Sequence, residues 1–465
     1  MRKILLIGID SMDSELLSKF IDYMPNFKKL KENSPDIEMK SVFPPDSDTA
    51  WASIYTGLSP AEHGVVTFVD PIEKSYEIQT KESEADFIKG KTFWDYVSQK
   101  GKKSIVLLPH IAYPPWKING IMASRSRIYD IVESYPDMSA EELNKLNSPK
   151  GVPKKDKKSL QRFINAYTEL VLEEKNFFIK NMKNNEWDLF FCYSSSLDAI
   201  QHYFWNICED PQYSDSPFRN VIKDFYSLYD SMVGEILSVI DEDTTVIVLS
   251  DHGHQGRPLK LVNINEILHQ MGYLKSKNKK MVNSGIGKFK SKSIEMVSNY
   301  NMGWIASKVL KIFPQFMNFY LSNPSLDLIS SSAYVTDLSG IKAYTYGGIK
   351  VKDNKNYDEI RNNIINKLKE EIGDKIEFIL KKEELYDGKY LSKYPDILIQ
   401  LKDGYGLGNN INVPIISDAH TSNIVPGSHR GDTPVILISN FKGTEVPDKL
   451  DLEDISPLIL NLMDI

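Results

Sequence analysis

Cysteine is almost absent from this chain of 465 residues, which contains only Cys192 and Cys208. Neither lies in a pair with metal-ligand spacing, and two cysteines in so long a chain cannot build a disulfide framework. Apolar runs are also short, and none approaches the ~18 residues that a membrane-spanning helix requires. The apolar run at the N-terminus is too short for a signal peptide and lacks a small-residue cleavage site. We therefore expect a cytoplasmic location.

Positive charge is not in excess either. The chain has 56 Lys and Arg residues against 63 Asp and Glu residues, a formal net charge of −7. This balance does not favour a nucleic-acid polymer as a partner. The phosphate loop Gly-x-x-x-x-Gly-Lys-Ser/Thr is missing as well, so P-loop nucleotide chemistry is not supported. Hydrophobic residues make up 41% of the chain, enough for the core of one large α/β domain with insertions or of two ordinary domains.

What the chain does have is a set of apolar, β-branched runs that lead into aspartates. The runs and their aspartates are Lys3 to Ile9 with Asp10, Trp187 to Tyr193 with Asp198, and Thr245 to Ser250 with Asp251. Helical periodicity lies between them, at 159–183 and 218–240. This alternation predicts an α/β fold, a doubly wound and mainly parallel sheet with helices on both faces. Since ligands bind beyond the carboxyl ends of such strands, the three aspartates should meet on one rim.

The segment 275–335 has a different composition. It contains a lysine-rich stretch followed by an amphipathic run from Trp304 to Leu321. We interpret it as a cap inserted into a catalytic domain formed by 1–274 and 336–465. The alternatives are a solvated loop with one packed helix, or a contact with an anionic membrane surface. Further on, strands are expected near Ile376 to Leu380, Asp396 to Leu401 and Thr433 to Ser439, and a closing helix over Leu452 to Met463.

Two short motifs and one loop carry metal-ligand chemistry. Asp198 and His202 are four residues apart, a spacing that places both side chains on one face of a helix. Asp251 and His252 end a buried strand, where they add nothing to core packing, and His429 lies in a glycine-bounded loop. Any one of the eight histidines could be structural, but the joint pattern favours ligands. Mixed oxygen and nitrogen donors suit zinc, with manganese as the alternative.

A hydroxyl nucleophile is indicated in the segment 43–64. Prolines precede Asp46, Ser47 and Asp48, which are residue types that favour a helix start. A hydroxyl at a helix N-terminus beside a metal ion is well placed to attack phosphorus, since the exposed amides help to hold the phosphate. The alternative is that Ser47 or Asp48 only caps the helix.

In their order and spacing, these motifs resemble the alkaline phosphatase superfamily, and within it the type I phosphodiesterase/nucleotide pyrophosphatase branch. The motifs are Gly8-Ile-Asp10, the Pro-Pro-x-Ser…Ala-Trp…Thr-Gly…Pro…His-Gly segment, Trp187-Asp-Leu-Phe with Asp198 and His202, Asp251-His252-Gly253, Val262-Asn263 with Gly272-Tyr273-Leu274, Pro395-Asp396, and His429-Arg430.

The resemblance implies two divalent metal ions and divides their ligands. One ion would be bound by Asp198, His202 and His429, and the other by Asp10, Asp251, His252 and the nucleophile. In the family the nucleophile lies nine residues before the threonine of the Thr-Gly pair. Counting back from Thr56 gives Ser47, with Thr49 as the alternative. A phosphoseryl intermediate is then expected.

Two departures from the family pattern bear on the substrate. Nucleotide pyrophosphatase relatives have a phosphate-binding asparagine five residues after the His-Gly histidine, where this chain has Phe68. The sequence also shows no clear counterpart of the arginine that clamps phosphate monoesters in alkaline phosphatases. The missing asparagine makes a nucleotide substrate less secure. The missing arginine favours a diester over a monoester.

The sequence therefore predicts a phosphodiesterase-like phosphoric ester hydrolase. Its substrate would be a small-molecule or headgroup phosphate ester. The alternatives on the same site are a phosphomonoesterase, a phospho-group transferase or phosphomutase, and a binding protein without turnover. The Cys-x-Pro-x-Arg signature of sulfatases is missing, so sulfate-ester hydrolysis is not expected. The sequence does not indicate an oligomeric state.

Overall fold

The computed structural model describes residues 3–72, 84–126, 129, 131–277, 326–338, 343–352, 355–419, 425–441 and 445–465. Most of the segment 275–335, including the run from Trp304 to Leu321, lies outside these residues. Its roles as a cap or a membrane-surface contact therefore stay predictions. Among the described helices, none combines the length and the apolar content needed to cross a bilayer.

The described strands are β1 Ile4–Ile9, β2 Glu38–Lys40, β3 Phe68–Val69, β4 Ser104–Leu107, β5 Gly120–Arg125, β6 Val132–Tyr135, β7 Leu189–Ser194, β8 Thr245–Leu249, β9 Gly253–Gly256, β10 Lys260–Asn263, β11 Ala333–Val335, β12 Asp337–Leu338, β13 Tyr346–Val351, β14 Ile376–Lys381, β15 Ile397–Leu401, β16 Tyr405–Gly408, β17 Ile416–Asp418, β18 Gly427–Arg430, β19 Ile436–Ser439 and β20 Lys449–Asp451. The described α-helices are α1 Ser14–Phe20, α2 Pro25–Asn33, α3 Ser47–Thr56, α4 Pro60–His63, α5 Phe93–Gln99, α6 Ala140–Asn144, α7 Lys157–Asn184, α8 Ser196–Glu209, α9 Val221–Leu237, α10 Ile264–Gln270, α11 Tyr357–Ile372, α12 Lys382–Leu385 and α13 Ile455–Leu462.

The main sheet has seven strands in the order β19-β8-β1-β7-β4-β5-β6. Its inner pairs are parallel, and only the edge strands β19 and β6 run antiparallel to their neighbours. Every residue of β1 is buried, because alternate side chains enter two cores on opposite faces of the sheet. Helices α7 and α9 cover one face, and α3, α5 and α13 cover the other. The predicted mainly parallel α/β fold is confirmed.

A second sheet of four strands, in the order β11-β13-β15-β14, is antiparallel throughout. It packs with α10 and α11 around an apolar core of its own. The strands expected near Ile376 and Asp396 are β14 and β15 of this sheet, so they do not continue the parallel pattern. A local apolar run predicts a strand but does not specify its partner. The strand expected over Thr433 to Ser439 is β19, at the edge of the main sheet.

The register of the main sheet positions the site. Gly8 on β1 pairs with Tyr193 on β7 and with Leu249 on β8. The carboxyl ends of the three central strands therefore reach the same edge. Asp10 and Asp251 follow two of these ends, and helix α8 begins directly after the third.

Candidate metal centre

Six side chains form two groups of potential metal ligands at this edge of the sheet. We call Asp10, Asp251 and His252 the serine-side set, and Asp198, His202 and His429 the helix-side set. Within each set, one ligand atom from each residue lies within 4.8 Å of the others. The structure thus brings together the six carboxylates and imidazoles that were expected as ligands, in the two groups that the family resemblance implies. The seventh expected ligand, Ser47, is described below.

The helix-side set is built from one helical turn and one strand of a two-stranded sheet. Helix α8 places Asp198 and His202 on the same face, with His202 Nε2 3.4 Å from Asp198 Oδ1. Strand β18 pairs with β9 and carries His429 to the same point. Its Nε2 lies 3.6 Å from Asp198 Oδ1 and 3.0 Å from His202 Nε2. Three donor atoms from two distant parts of the chain therefore converge on one position.

The serine-side set lies directly at the ends of β1 and β8. His252 Nε2 is 3.1 Å from Asp251 Oδ2 and 3.8 Å from Asp10 Oδ1. The backbone N–H of Ser11 donates to the other oxygen of Asp251, at 3.1 Å. Ser11 has a φ of 63°, an uncommon conformation for a residue with a side chain. This turn orients Asp251 so that Oδ2 faces the set.

Each ligand imidazole is oriented by a main-chain carbonyl. The Nδ1–H groups donate from His202 to Gly427 O at 3.1 Å, from His252 to Gly253 O at 3.0 Å, and from His429 to Pro45 O at 2.9 Å. Donation at Nδ1 leaves the lone pair on Nε2, which is the nitrogen that faces the centre in all three residues. Such outer contacts fix the tautomer and the ring direction of metal-binding histidines.

The protonation chemistry fits bound cations. Burial raises the pKa of Asp10 to about 8, with Asp251 and Asp198 adding to the effect, and burial also raises the pKa of Asp251 well above its usual value. Burial lowers the pKa of His202 and of His429, which keeps both imidazoles neutral. Two buried oxygens, Asp198 Oδ1 and Asp251 Oδ2, have no hydrogen-bond partner among the described residues. Divalent cations would satisfy these oxygens and the neutral imidazoles together.

Ser47 is the first residue of α3, and its hydroxyl lies against the serine-side set. Asp46 is the N-cap, because its side chain accepts from the backbone N–H of Asp48 at 3.2 Å. Ser47 therefore does not serve as the cap, and its Oγ lies 3.1 Å from His252 Nε2 and 3.5 Å from Asp10 Oδ1. Thr49, the alternative nucleophile, is fully buried, and its Oγ1 has no partner among the described residues.

The sequence interpretation missed the side chains that hold Asp10. Trp51 Nε1 donates to Asp10 Oδ2 at 3.1 Å, and the Tyr193 hydroxyl donates to the same oxygen. Asp10 Oδ1 is then left to face Ser47 and His252. Tyr193 lies near the end of β7, so the strand-end pattern that identified the aspartates could also have identified it. Trp51 lies within α3, where an apolar helical face gives no such indication.

Two residues of the quoted motifs lie apart from the ligands. Phe68 is buried in an aromatic cluster, with ring centroids 6.1 Å from Phe43 and 5.6 Å from Tyr394. Arg430 follows His429, but its guanidinium pairs with Glu15 at 2.8 Å and Asp432 at 2.6 Å near the surface. Neither side chain supplies a ligand atom to the two sets.

The sheet is mainly parallel, and two carboxylate–imidazole sets lie at its strand ends beside a hydroxyl at a helix start. This combination characterises the phosphoric ester hydrolases of the alkaline phosphatase superfamily. The chain belongs to the type I phosphodiesterase/nucleotide pyrophosphatase family, whose sequence model matches residues 4–429. No curated protein sequence shows a significant match to this chain.

Solved structures share the fold at low sequence identity. Murine ectonucleotide pyrophosphatase/phosphodiesterase 5, an inactive variant in complex with AMP, is 14% identical, with a TM-score of 0.54 over 100% of this chain and 96% of that one. Phosphonoacetate hydrolase from Sinorhizobium meliloti, in complex with phosphonoformate, is also 14% identical, with a TM-score of 0.57 over 99% of this chain and 95% of that one. These structures support the predicted alkaline phosphatase-like fold.

Proposed function

We propose that this protein hydrolyses phosphate diesters with Ser47 as the nucleophile and two divalent metal ions, through a phosphoseryl intermediate. The observation that carries the proposal is the position of Ser47 Oγ, 3.1 Å from His252 Nε2 and 3.5 Å from Asp10 Oδ1. The nucleophile of a two-ion phosphoryl-transfer site would occupy this position.

The six ligands would hold one ion in each set, with Ser47 completing the serine-side set. Such ions supply positive charge that favours the ionised serine hydroxyl and neutralises the oxygens of the transferring phosphoryl group. The mixed oxygen and nitrogen donors favour zinc, and manganese is the alternative.

The chain's own residues set the geometry of the attack. Asp46 caps α3 and leaves the Ser47 hydroxyl free of a capping role, so Oγ can point toward the substrate. The Ser47 Oγ–phosphorus bond forms as the bond to the leaving alcohol breaks, and the leaving oxygen departs on the side of the helix-side set. Water then attacks phosphorus from that side and breaks the Oγ–phosphorus bond, which regenerates Ser47.

Two arginines from the segments that carry the ligands, Arg257 and Arg430, have other partners, which supports a diester substrate. Arg257 donates to the carbonyls of Val425 and Gly427, at 2.8 and 3.0 Å. Arg430 pairs with Glu15 and Asp432. A phosphate monoester carries a second full negative charge, whereas both guanidinium groups already donate to other acceptors. Phe68, at the position of the family's asparagine, offers no side-chain hydrogen-bond donor, which bears against a nucleotide and does not separate diesters from monoesters.

The test compares bis(p-nitrophenyl) phosphate with p-nitrophenyl phosphate after chelation and return of zinc or manganese. Metal-dependent turnover with a preference for the diester supports the proposal. A preference for the monoester would favour a phosphatase. Added alcohols that become phosphorylated would favour a transferase. A metal-loaded protein inert toward both esters would overturn the hydrolase proposal for activated substrates.

A further inference from the structure

A closed ring of side-chain contacts passes through the first two residues of α3. Ser47 Oγ lies 3.5 Å from Asp10 Oδ1, and the other oxygen of Asp10 accepts from the Tyr193 hydroxyl. The Tyr193 oxygen lies 3.1 Å from His110 Nδ1. His110 Nε2 in turn lies 2.8 Å from Asp48 Oδ1, and Asp48 is the residue that follows Ser47. The ring therefore returns to the nucleophile through the backbone.

His110 uses both ring nitrogens to join two separate elements. It follows β4, whereas Asp48 belongs to α3 and Tyr193 belongs to β7. Because a carboxylate can only accept, the His110 Nε2–H donates to Asp48. An apolar side chain of similar size could fill this space but could make neither contact.

The backbone around His110 is also fixed. The His110 N–H donates to the Tyr55 hydroxyl at 2.9 Å, so His110 is attached to α3 at a second point, two turns after Asp48. Leu108 and Ile111, on either side, have φ values of 61° and 48°. Side-chain-bearing residues rarely adopt this conformation, and such strain is concentrated at functional sites. The His110 side chain is only 15% exposed.

We propose that His110 is a positioning residue, which holds the first turn of α3 against Asp10 and so fixes the Ser47 hydroxyl beside the serine-side set. It acts through Asp48 on the helix start and through Tyr193 on the Asp10 carboxylate. The inference rests on the proposed serine mechanism for its kinetic consequence. Its consequence for ligand geometry is independent of turnover.

Three substitutions separate the two contacts. His110→Ala removes both, His110→Asn places an amide where Nδ1 lies, and His110→Gln places one where Nε2 lies. Loss of a contact made directly to a metal ligand typically costs about 10- to 100-fold in metal affinity or activity. His110 reaches Asp10 through Tyr193, so effects at the lower end of this range are expected. We expect His110→Ala to lower kcat for an activated diester about 10-fold or more with KM nearly unchanged. We also expect it to weaken zinc binding at one of the two sites about 10-fold, measured by competition with a chromophoric chelator.

His110→Asn should recover zinc affinity, because it keeps the link to Tyr193 and Asp10. His110→Gln should recover kcat more than zinc affinity, because it keeps the link to Asp48. His269→Ala is the matched control. His269 lies on α10, and its Nδ1–H donates to the Leu274 carbonyl at 2.8 Å, away from the ring of contacts around Ser47. If His110→Ala does not fold, the two amide variants carry the comparison.

Unchanged zinc affinity and kcat in folded His110 variants would overturn the inference, as would a rise in KM alone, which indicates a substrate contact. Failure of the wild-type protein to cleave any diester would count against the proposed function. The zinc titration would still decide the inference in that case.

Discussion

The imidazole rings of His252 and His429 stack with their centroids 3.9 Å apart and their planes 21° apart, although the two residues belong to different ligand sets. The two sets are therefore in direct contact and form a single centre. Two stacked imidazolium rings would repel each other. Burial, followed by the neighbouring His252, lowers the pKa of His429 and keeps its ring neutral. A neutral ring is also the form that binds a metal ion.

Ser47→Ala should lower diester turnover on the order of 10³-fold or more, because it removes the proposed nucleophile. The Thr49→Val variant is the control. It removes a fully buried hydroxyl that has no partner among the described residues, so turnover should stay near the wild-type value. Stopped reactions analysed by mass spectrometry should show a phosphoryl group on Ser47 in the wild type. Loss of turnover in Thr49→Val alone would reassign the nucleophile.

Zinc binding at pH 7 should release about one proton or more per protein molecule. The raised pKa values of Asp10, about 8, and of Asp251 mean that the metal-free centre holds protons that a bound cation displaces. His202 and His429 contribute none, since both are already neutral. Calorimetry in two buffers with different ionisation enthalpies measures the release, which should decline as the pH rises through about 8.

The Ser47→Ala variant is the control for this titration, because a bound ion could also displace the serine proton. Persistence of the release in that variant assigns it to the carboxylates. Zero release in the wild type at pH 7 would contradict the carboxylate assignment.

Glu453→Gln should stabilise the protein above pH 7 and have little effect near pH 4.5. Burial raises the pKa of Glu453 to about 7, and the nearby Asp451 and Asp454 add to the effect. Because the pKa of Glu453 is higher in the folded state than in the unfolded state, ionisation destabilises the folded protein. This loss of stability develops as the pH rises from the unfolded-state pKa, ~4.5, through about 7. The full effect corresponds to at most roughly 3 kcal/mol. Urea unfolding at pH 5 and pH 8 measures it, with the exposed Glu359→Gln as control. Equal effects at both pH values would contradict the prediction.

Gly427→Ala should displace β18 from α8 and weaken zinc binding. A methyl group at this position would lie 2.3 Å from His254 Nε2 and 2.5 Å from the Gln201 carbonyl, too close without movement. Overpacking of this kind costs about 1–3 kcal/mol, and here it would move His429 away from His202. Gly373→Ala is the control, because an added methyl there meets nothing within 4 Å. Thermal unfolding with and without zinc distinguishes the two variants, and full zinc stabilisation in Gly427→Ala would contradict the prediction.

The sequence predicted which side chains would lie close together because two local rules place them. Asp10 and Asp251 follow buried parallel strands, whose ends meet at one edge, and the four-residue spacing of Asp198 and His202 fixes a common helical face. Both rules depend only on positions near in sequence. The glycine-bounded loop made His429 a candidate ligand, but only the family resemblance placed it with Asp198 and His202, since nothing in its own loop specifies that β18 pairs with β9.

The parts that the sequence could not provide depend on contacts between distant segments. β14 and β15 were recognised as strands, but their antiparallel pairing in a separate sheet is set by packing against α10 and α11. The bonds from Trp51 and Tyr193 to Asp10 depend on side-chain directions that periodicity does not encode. His110 belongs to the same class, since its two partners lie on other elements.

Asp10 and Asp251 each accept hydrogen bonds from the protein on one oxygen. Trp51 and Tyr193 donate to Oδ2 of Asp10, and the Ser11 amide donates to Oδ1 of Asp251. The oxygen without these contacts, Oδ1 of Asp10 and Oδ2 of Asp251, is the one that each carboxylate turns toward the serine-side set. With His252 and the proposed ligand Ser47, the serine side would provide four donor atoms, a coordination number that suits a small tetrahedral ion. Calcium, which takes 6–8 oxygen ligands, would be poorly held and should compete weakly even when abundant.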